Sequence, residues 1–197
     1  AESASDFMQA VVMIIALVGV LVCGIVHAGG LGAVIENAKA IPGYLSLTAT
    51  ATPVLDANGV QQAANNAPLF GEAGKYGFLT ILSTLSWGLG YFGMPQVLLR
   101  FMAIRKSSEL KMSRRIATVW VLISLTAAVS IGVLGRYILP TDAALATQSG
   151  AENVFAHLAQ LLFHPILAGV VMAGILAATI SSSDSYLLIA ASAVSKN

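Results

Sequence analysis

The sequence predicts an all-α membrane protein with four transmembrane helices, on the grounds of its composition and the length of its apolar segments. Of the 197 residues, 57% are hydrophobic and 10% are charged, whereas soluble domains average about 45–50% and about 25%. A helix that crosses a bilayer needs about 20 consecutive, mostly apolar residues. Four stretches are long enough, and we predict spans at about residues 7–27, 76–99, 115–139 and 165–194.

The basic residues predict how these spans are oriented. Six of the ten Lys and Arg residues fall within residues 100–115, beside Glu109 as the only acidic residue there. Short loops rich in Lys and Arg stay on the cytoplasmic side of a membrane. We therefore predict that loop 100–114 is cytoplasmic and that loops 28–75 and 140–164 are outer loops. Because the chain starts at Ala1 without a signal sequence, it is interpreted as a single-domain piece of a longer membrane protein.

The two outer loops carry different signals. The first is rich in Gly, Ala, Asn and Pro, so we expect at most one short helix before Pro42 and an irregular middle. In the second, Ser149 and Glu152 have the spacing of a capping box, and apolar residues follow at helical intervals. A short amphipathic helix is expected there on the outer surface. Arg136, near the outer end of the third span, is expected to extend towards water.

The middle of the second span breaks the rules of a regular membrane helix. Residues 86–95 read S-W-G-L-G-Y-F-G-M-P and contain three glycines and a proline. Proline removes a helical hydrogen bond, and glycine adopts conformations that other residues avoid. The sequence therefore predicts a discontinuous second span. Within a bilayer, the freed backbone groups must face protein or a wet cavity, as they do in transporters that bind solutes and ions at broken helices.

Two aromatic residues lie at this predicted break. Trp87 and Tyr91 are four residues apart and so share one helix face, where each offers an apolar ring and a hydrogen-bonding edge. Together with Gly88 and Gly90, they predict a binding site for a small amphiphilic solute. The alternative interpretation is that the glycines allow close helix packing and the aromatic rings fill the space between helices.

The fourth span carries hydroxyl groups at a depth where lipid disfavours them. The side chains of Ser181 and Ser182 and the carbonyl of Ala178 converge on one patch, since a helical hydroxyl reaches the carbonyl three or four residues earlier. Three neutral oxygens form half of a coordination shell for a hard monovalent cation. Alternatively, these serines bond to their own backbone or to a neighbouring helix. Asp184, an ionisable residue in the same span, is a further candidate.

Several other functions are disfavoured. The net charge of +1 provides no surface that would neutralise a run of phosphates, so no nucleic-acid partner is expected. Cys23 is the only cysteine, which excludes an intramolecular disulfide and a multi-cysteine zinc site. The sequence contains no hydrolase, zinc-protease or P-loop motif, and His157 and His164 lie in the outer region, far from the serine cluster. An enzyme is therefore not expected.

The segment Ser86–Pro95, followed by L-R-F-M-A, resembles the sodium/solute symporter family. Other matches occur in the family's order: Ser5-Asp6 with Gln9-Ala10, the doublet Arg114-Arg115, and I-L-A-A at 175–178 followed by Ser181-Ser182. The resemblance covers the whole chain. It implies a fold of five plus five helices in an inverted repeat, of which this chain is the middle part.

The resemblance also implies roles for individual residues. In proline-transporting members of the family, the residues that match Trp87, Tyr91 and Pro95 contribute to solute and sodium binding. Those that match Ala178, Ser181 and Ser182 contribute oxygens to the sodium site, and the residue that matches Asp6 takes part in sodium coupling near the inner gate. One departure is Gln96, where the family often has His.

The implied function is sodium-coupled import of proline across the cytoplasmic membrane by alternating access. Sodium is the co-transported ion, membrane lipid surrounds the helices, and the remainder of the same transporter chain completes the ion site. Two alternatives stay open: a symporter for another small solute such as pantothenate or a sugar, and the symporter-like membrane domain of a sensor kinase.

Overall fold

The computed structural model describes residues 2–91, 93–102, 104 and 106–196, and most of them are helical. Within this described part, a 3₁₀ turn at Ala143–Leu145 precedes α6, and the α-helices are α1 Glu2–His27, α2 Leu31–Ala40, α3 Phe78–Tyr91, α4 Pro95–Met102, α5 Glu109–Ile138, α6 Gln148–Ala151, α7 Val154–Leu162 and α8 Pro165–Lys196.

Two of the described helices are long and apolar enough to cross a membrane. They are the Phe7–His27 part of α1, with a mean hydropathy of 2.8, and α5, with a mean hydropathy of 2.2. Helix α8 contains two shorter apolar stretches, Pro165–Ile180 and Tyr186–Ser195. This helical, apolar character agrees with the predicted class of membrane protein. The count of four spans and their boundaries stay predictions.

Helix α1 packs against α5 on one side and against α8 on another, while the short helix α7 contacts all three. The core where they meet consists of five buried residues: Val20, Ile131, Leu158, Ala159 and Val171. Small residues allow the backbones to approach closely. A β-carbon on Gly135 of α5 would overlap the side chain of Val154 of α7, and one on Gly174 of α8 would lie 3.4 Å from Val12 of α1.

Residues 28–77 and 139–164 form what we call the loop layer, beyond the ends of α1 and α5. Its first part contains two antiparallel strand pairs: β1 Ala49–Thr50 with β4 Gly74–Lys75, and β2 Ala63–Ala64 with β3 Ala67–Pro68. Between α2 and α3 this loop is largely irregular, as expected, and the two short strand pairs are its regular part among the described residues. Asn65 and Asn66 adopt positive φ angles of 51° and 60°, which closes the β2–β3 hairpin because asparagine tolerates this conformation.

The second part of the loop layer contains the expected amphipathic helix, α7, whose residues Leu158 and Ala159 are buried. The capping prediction at Ser149 was wrong. Thr147, in an extended conformation, accepts a hydrogen bond from the Gly150 amide at 3.0 Å and caps the one-turn helix α6. Helix α7 then begins after Asn153, whose side chain forms no capping bond. A hydroxyl caps a helix only where the backbone is not yet helical, and Ser149 already lies inside α6.

Candidate functional site

Helix α3 ends at Tyr91 and α4 begins at Pro95, at the place where the sequence predicts a break. The Gly93 amide donates to the Gly90 carbonyl at 3.1 Å, and the Met94 amide donates to the Tyr91 carbonyl at 3.3 Å. These bonds span three residues, so they form a turn in place of the four-residue helical ladder. Pro95 has no amide hydrogen to donate, and it opens α4 at a position where amides lack helical partners in any case.

The aromatic residues before the break are accessible. Trp87 is 78% exposed and Tyr91 is 57% exposed. A β-carbon on Gly88 or Gly90 would meet nothing within 4 Å, and no described residue of α3 is buried. Within the described part of the chain, no helix therefore packs on these glycines. The face that carries both rings is open to a ligand or to further parts of the protein.

The second half of the broken helix lies beside the helix with the predicted ion ligands. Helix α4 packs against α8, so the structure joins the break to the same helix as Ala178. The side chain of Gln96, the departure from the family pattern, lies outside the described residues. The contact between α4 and α8 therefore connects the predicted solute site to the helix that carries the predicted ion ligands.

Two hydroxyls of α8 bond to their own helix. Thr179 Oγ1 donates to the Ile175 carbonyl at 3.1 Å, and Ser183 Oγ donates to the Thr179 carbonyl at 2.9 Å. This is the geometry of the alternative interpretation, yet such an oxygen keeps its lone pairs free to accept a cation. Ser181 and Ser182 lie in the same helix, and their side chains are outside the described residues.

A cavity of about 550 Å³ lies between α1 and α8. Helix α8 contributes Ala178 to it, together with the polar side chains of Thr179, Ser183 and Tyr186, while α1 contributes Met13, Ala16 and Leu17. The structure thus brings one predicted ion ligand, Ala178, to a cavity whose polar atoms are neutral oxygens. Among the described residues, no three His, Cys, Asp or Glu side chains come together as a metal-binding group.

The pairing of α1 with α8 also locates Asp6 and Gln9 along the helix axis. The two helices run antiparallel, with Val12 beside Gly174. Asp6 lies six residues before Val12 in α1, and Ser181 lies seven residues after Gly174 in α8. The side chain of Asp6 is outside the described residues. Gln9 is described, and its Oε1 is buried without a hydrogen-bond partner, so an unsatisfied neutral oxygen lies about one turn before Val12 in α1.

A second polar cluster, in the loop layer, was missed by the sequence analysis. The half-buried Arg136 side chain reaches the loop layer, where its central guanidinium carbon lies 4.4 Å from the centre of the Phe70 ring. Nearby, His157 Nδ1 bonds to Asp142 Oδ2 at 3.0 Å. Both pairs join residues that are distant in the chain, so no local spacing in the sequence could reveal them.

All 197 residues match the sodium:solute symporter family. The chain belongs to this family. Among relatives, this sodium:solute symporter chain is 34% identical over 199 residues to the sodium/proline symporter of Escherichia coli strain K12, covering 100% of this chain and 35% of that protein.

Two further relatives match over a similar extent. The osmoregulated proline transporter OpuE of Bacillus subtilis is 33% identical over 198 residues, covering 100% of this chain and 35% of that protein. A sodium/proline symporter of Staphylococcus aureus is 32% identical over 197 residues, covering 100% of this chain and 33% of that protein. This member of the family therefore spans about a third of the length of these relatives. No solved structure matches it at a significant level.

Proposed function

We propose that this chain is the middle part of a symporter that imports proline together with sodium across the cytoplasmic membrane by alternating access. The observation that carries the proposal is the interrupted helix: α3 ends with an exposed Trp87 and Tyr91, and α4 packs against the hydroxyl-bearing helix α8. Family membership supports coupling to sodium. The names of the relatives in Escherichia coli, Bacillus subtilis and Staphylococcus aureus support proline as the solute.

The proposed solute site is the break itself. The pyrrolidine ring of proline is apolar and fits against the faces of Trp87 and Tyr91, while its charged groups need polar partners. The Gly90 carbonyl at the break keeps a second lone pair that can accept from the solute ammonium, and the start of α4 at Pro95 presents the positive end of a helix dipole to the carboxylate. Transporters with broken helices bind charged solutes in this way.

The proposed sodium site lies on α8. Its ligands are the Ala178 carbonyl and the hydroxyls of Ser181 and Ser182, and sodium is the co-transported ion. The buried, unpartnered Oε1 of Gln9 supports a cation in this region, since an acceptor without a donor has free capacity for one. Asp6, near the start of α1, is proposed to couple sodium release to the opening of the inner gate. The remainder of the transporter chain completes the coordination shell.

The proposed arrangement has four spans in a multi-pass protein, at about residues 7–27, 76–99, 115–139 and 165–194. In it, loop 100–114 is cytoplasmic, loops 28–75 and 140–164 face outside, and the four spans form the middle of a fold of five plus five inverted helices. Membrane lipid surrounds the helices. The protein moves its solute without changing it chemically, so it is a transporter and not an enzyme.

Uptake of radiolabelled proline tests the proposal. The intact protein that contains this chain is expressed in cells that lack proline transporters, and uptake is measured with an inward sodium gradient or with potassium in place of sodium. We expect uptake only with sodium, and competition by unlabelled proline but not by pantothenate or glucose. Proline uptake that is independent of sodium, or competition by another solute alone, would show that the coupling or the substrate is assigned wrongly.

A further inference from the structure

The start of α5 carries a cluster of exposed basic side chains. Its members are Lys106, Lys111, Arg114 and Arg115, and the only acidic residue nearby in the chain is Glu109. In the described part of the chain, none of these four cations forms an ion pair. Because the protein does not neutralise this charge itself, the cluster is available to an anionic partner.

An apolar groove begins at this basic cluster and runs along the surface of α5. Its volume is about 340 Å³, and its lining consists of Arg115, Ile116, Val119, Trp120 and Ile123. The three aliphatic side chains are exposed, and the ring of Trp120 is half-buried. All five residues belong to α5, so no other described helix forms a wall of the groove. Arg115 is thus the charged end of an otherwise largely apolar surface.

The basic cluster and the groove share one side of the helix. Lys111, Arg115, Val119 and Ile123 follow one another at intervals of four residues, so their side chains form a continuous stripe that winds slowly around α5. At about 1.5 Å per residue, the apolar part from Ile116 to Ile123 extends about 11 Å along the helix axis. The stripe therefore has two adjacent cations at one end and an apolar length beyond them.

We propose that this stripe binds one anionic phospholipid of the inner leaflet. The headgroup phosphate binds Arg115, whose planar guanidinium donates two parallel hydrogen bonds to it, and Lys111 adds a second positive charge. One acyl chain lies in the groove beside Val119 and the ring of Trp120. The inference goes beyond transport, and it rests on the proposed four-span arrangement, which puts the start of α5 at the cytoplasmic surface.

The position of the stripe favours a lipid over other anions. Helix α5 is long and apolar enough to cross a membrane, so its basic start lies at the depth of the lipid headgroups. Clusters of about four to eight Lys and Arg residues beside a membrane helix attract anionic lipids. Free phosphate would neutralise the cations but leave the groove empty, whereas a phospholipid satisfies both. A zwitterionic lipid would bring its own ammonium group towards four cations, so an anionic lipid is preferred.

A further helix of the intact protein is the competing occupant, since this chain spans about a third of the length of its relatives. Such a helix would cover the groove permanently. A lipid, in contrast, exchanges with lipid added to the detergent solution. Titration of the intact protein with lipid therefore separates the two occupants.

The test is native mass spectrometry of the intact protein that contains this chain, purified in a non-ionic detergent and titrated with dioleoyl phosphatidylglycerol. We expect this lipid to bind about tenfold more tightly than dioleoyl phosphatidylcholine, which has the same acyl chains but no net charge. Lys111→Gln combined with Arg115→Gln should weaken phosphatidylglycerol binding about tenfold and leave phosphatidylcholine binding unchanged. Lys39→Gln combined with Lys75→Gln is the matched control, because it removes the same charge from two exposed positions outside α5. It should leave both affinities unaltered.

Two measurements on protein with an unaltered basic cluster keep the test decisive if the double variant does not fold. Glycerophosphoglycerol has the headgroup of phosphatidylglycerol without its acyl chains, so it should not displace the lipid. Phosphatidylglycerol with brominated acyl chains quenches the fluorescence of tryptophans that it contacts. We expect part of that quenching to be absent in Trp120→Phe.

Equal affinity for the two lipids, or unchanged phosphatidylglycerol binding in the double variant, would refute the site. Displacement by glycerophosphoglycerol at lipid-like concentrations would show that only the phosphate is recognised, and it would overturn the lipid assignment. If Trp120→Phe is quenched as strongly as the unaltered protein, the lipid does not occupy the groove, and a further helix of the intact protein covers it. Loss of sodium-dependent proline uptake with lipid preference intact would count against the proposed function alone.

Discussion

Gly24 of α1 lies so close to Leu134 of α5 that a β-carbon at position 24 would overlap the leucine side chain. Leu134 is 1% exposed, so the surrounding side chains leave it little room to move aside. The contact sets how closely α1 and α5 approach each other. Small residues have this role in membrane proteins, where close packing replaces the hydrophobic effect as the force that joins helices.

Gly24→Ala should therefore destabilise the protein, by about 1–3 kcal/mol, which is typical of overpacking. Gly132→Ala is the matched control, because a β-carbon at position 132 of α5 would meet nothing within 4 Å. The control should be neutral or slightly stabilising, since alanine is the better helix former. Thermal unfolding of the detergent-solubilised intact protein measures both. Equal melting temperatures for the two variants would refute the close contact.

The sidedness of the loops can be tested with single cysteines in a Cys23→Ser background. Ser108→Cys, at the start of α5, and Asn65→Cys, in the β2–β3 turn, both lie at exposed positions. An impermeant thiol reagent added outside should label Asn65→Cys only, and Ser108→Cys should react only in inverted vesicles. Ser124→Cys, half-buried within α5, is the unreactive control. If both exposed positions react from one side, the four-span arrangement is wrong.

For sodium, Ser181→Ala and Ser182→Ala should each raise the concentration that gives half-maximal proline uptake. Each variant loses one neutral ligand oxygen, and a loss of about 0.5–1.5 kcal/mol corresponds to an increase of about 2- to 13-fold. Alanine preserves the helix. Ser195→Ala, at an exposed position near the end of the same helix, should leave sodium dependence unaltered. An unchanged sodium requirement in the first two variants would favour a packing role for these serines.

For the solute, Tyr91→Ala should remove most of the apparent affinity for proline. Tyr91→Phe loses only the hydroxyl and its hydrogen bond, worth about 0.5–1.5 kcal/mol, so it should weaken uptake affinity about 2- to 13-fold. Trp120→Ala is the control, because this half-buried residue of α5 is predicted to pack and not to bind. It should lower expression or stability more than proline affinity. Unaltered affinity in Tyr91→Ala would contradict the proposed site.

Local chemistry explains which features the sequence could predict. The break before Pro95 follows from glycine and proline themselves, and the long apolar run from Pro165 specifies α8 without help from other residues. The hairpin at Asn65 and Asn66 was missed because its strands are only two residues each, too short for a periodic pattern. The cap was misplaced because both Thr147 and Ser149 are good capping residues, and only the backbone conformation selects between them.

The residues of the candidate site also fall into two groups: some could be predicted from local spacing, and others only from the structure. Trp87 and Tyr91 could be proposed from their spacing along α3, and Ala178 from its spacing along α8. The orphan oxygen of Gln9 and the stacking of Arg136 on Phe70 depend on which helices and loops meet in three dimensions. Long-range contacts of that kind leave no periodic signal in a single sequence, so the polar cluster of the loop layer could be found only in the structure.

The break between α3 and α4 also bears on how the protein is made. At about 1.5 Å per residue, the 14 residues of α3 rise about 21 Å and the 8 residues of α4 rise about 12 Å. Neither half spans a hydrocarbon core of about 30 Å on its own. In the proposed four-span arrangement, this segment therefore needs both halves and covering neighbours during synthesis before its turn can leave water. Its insertion is expected to wait for the helices made after it, so a truncation that removes α8 should leave the segment accessible to proteases.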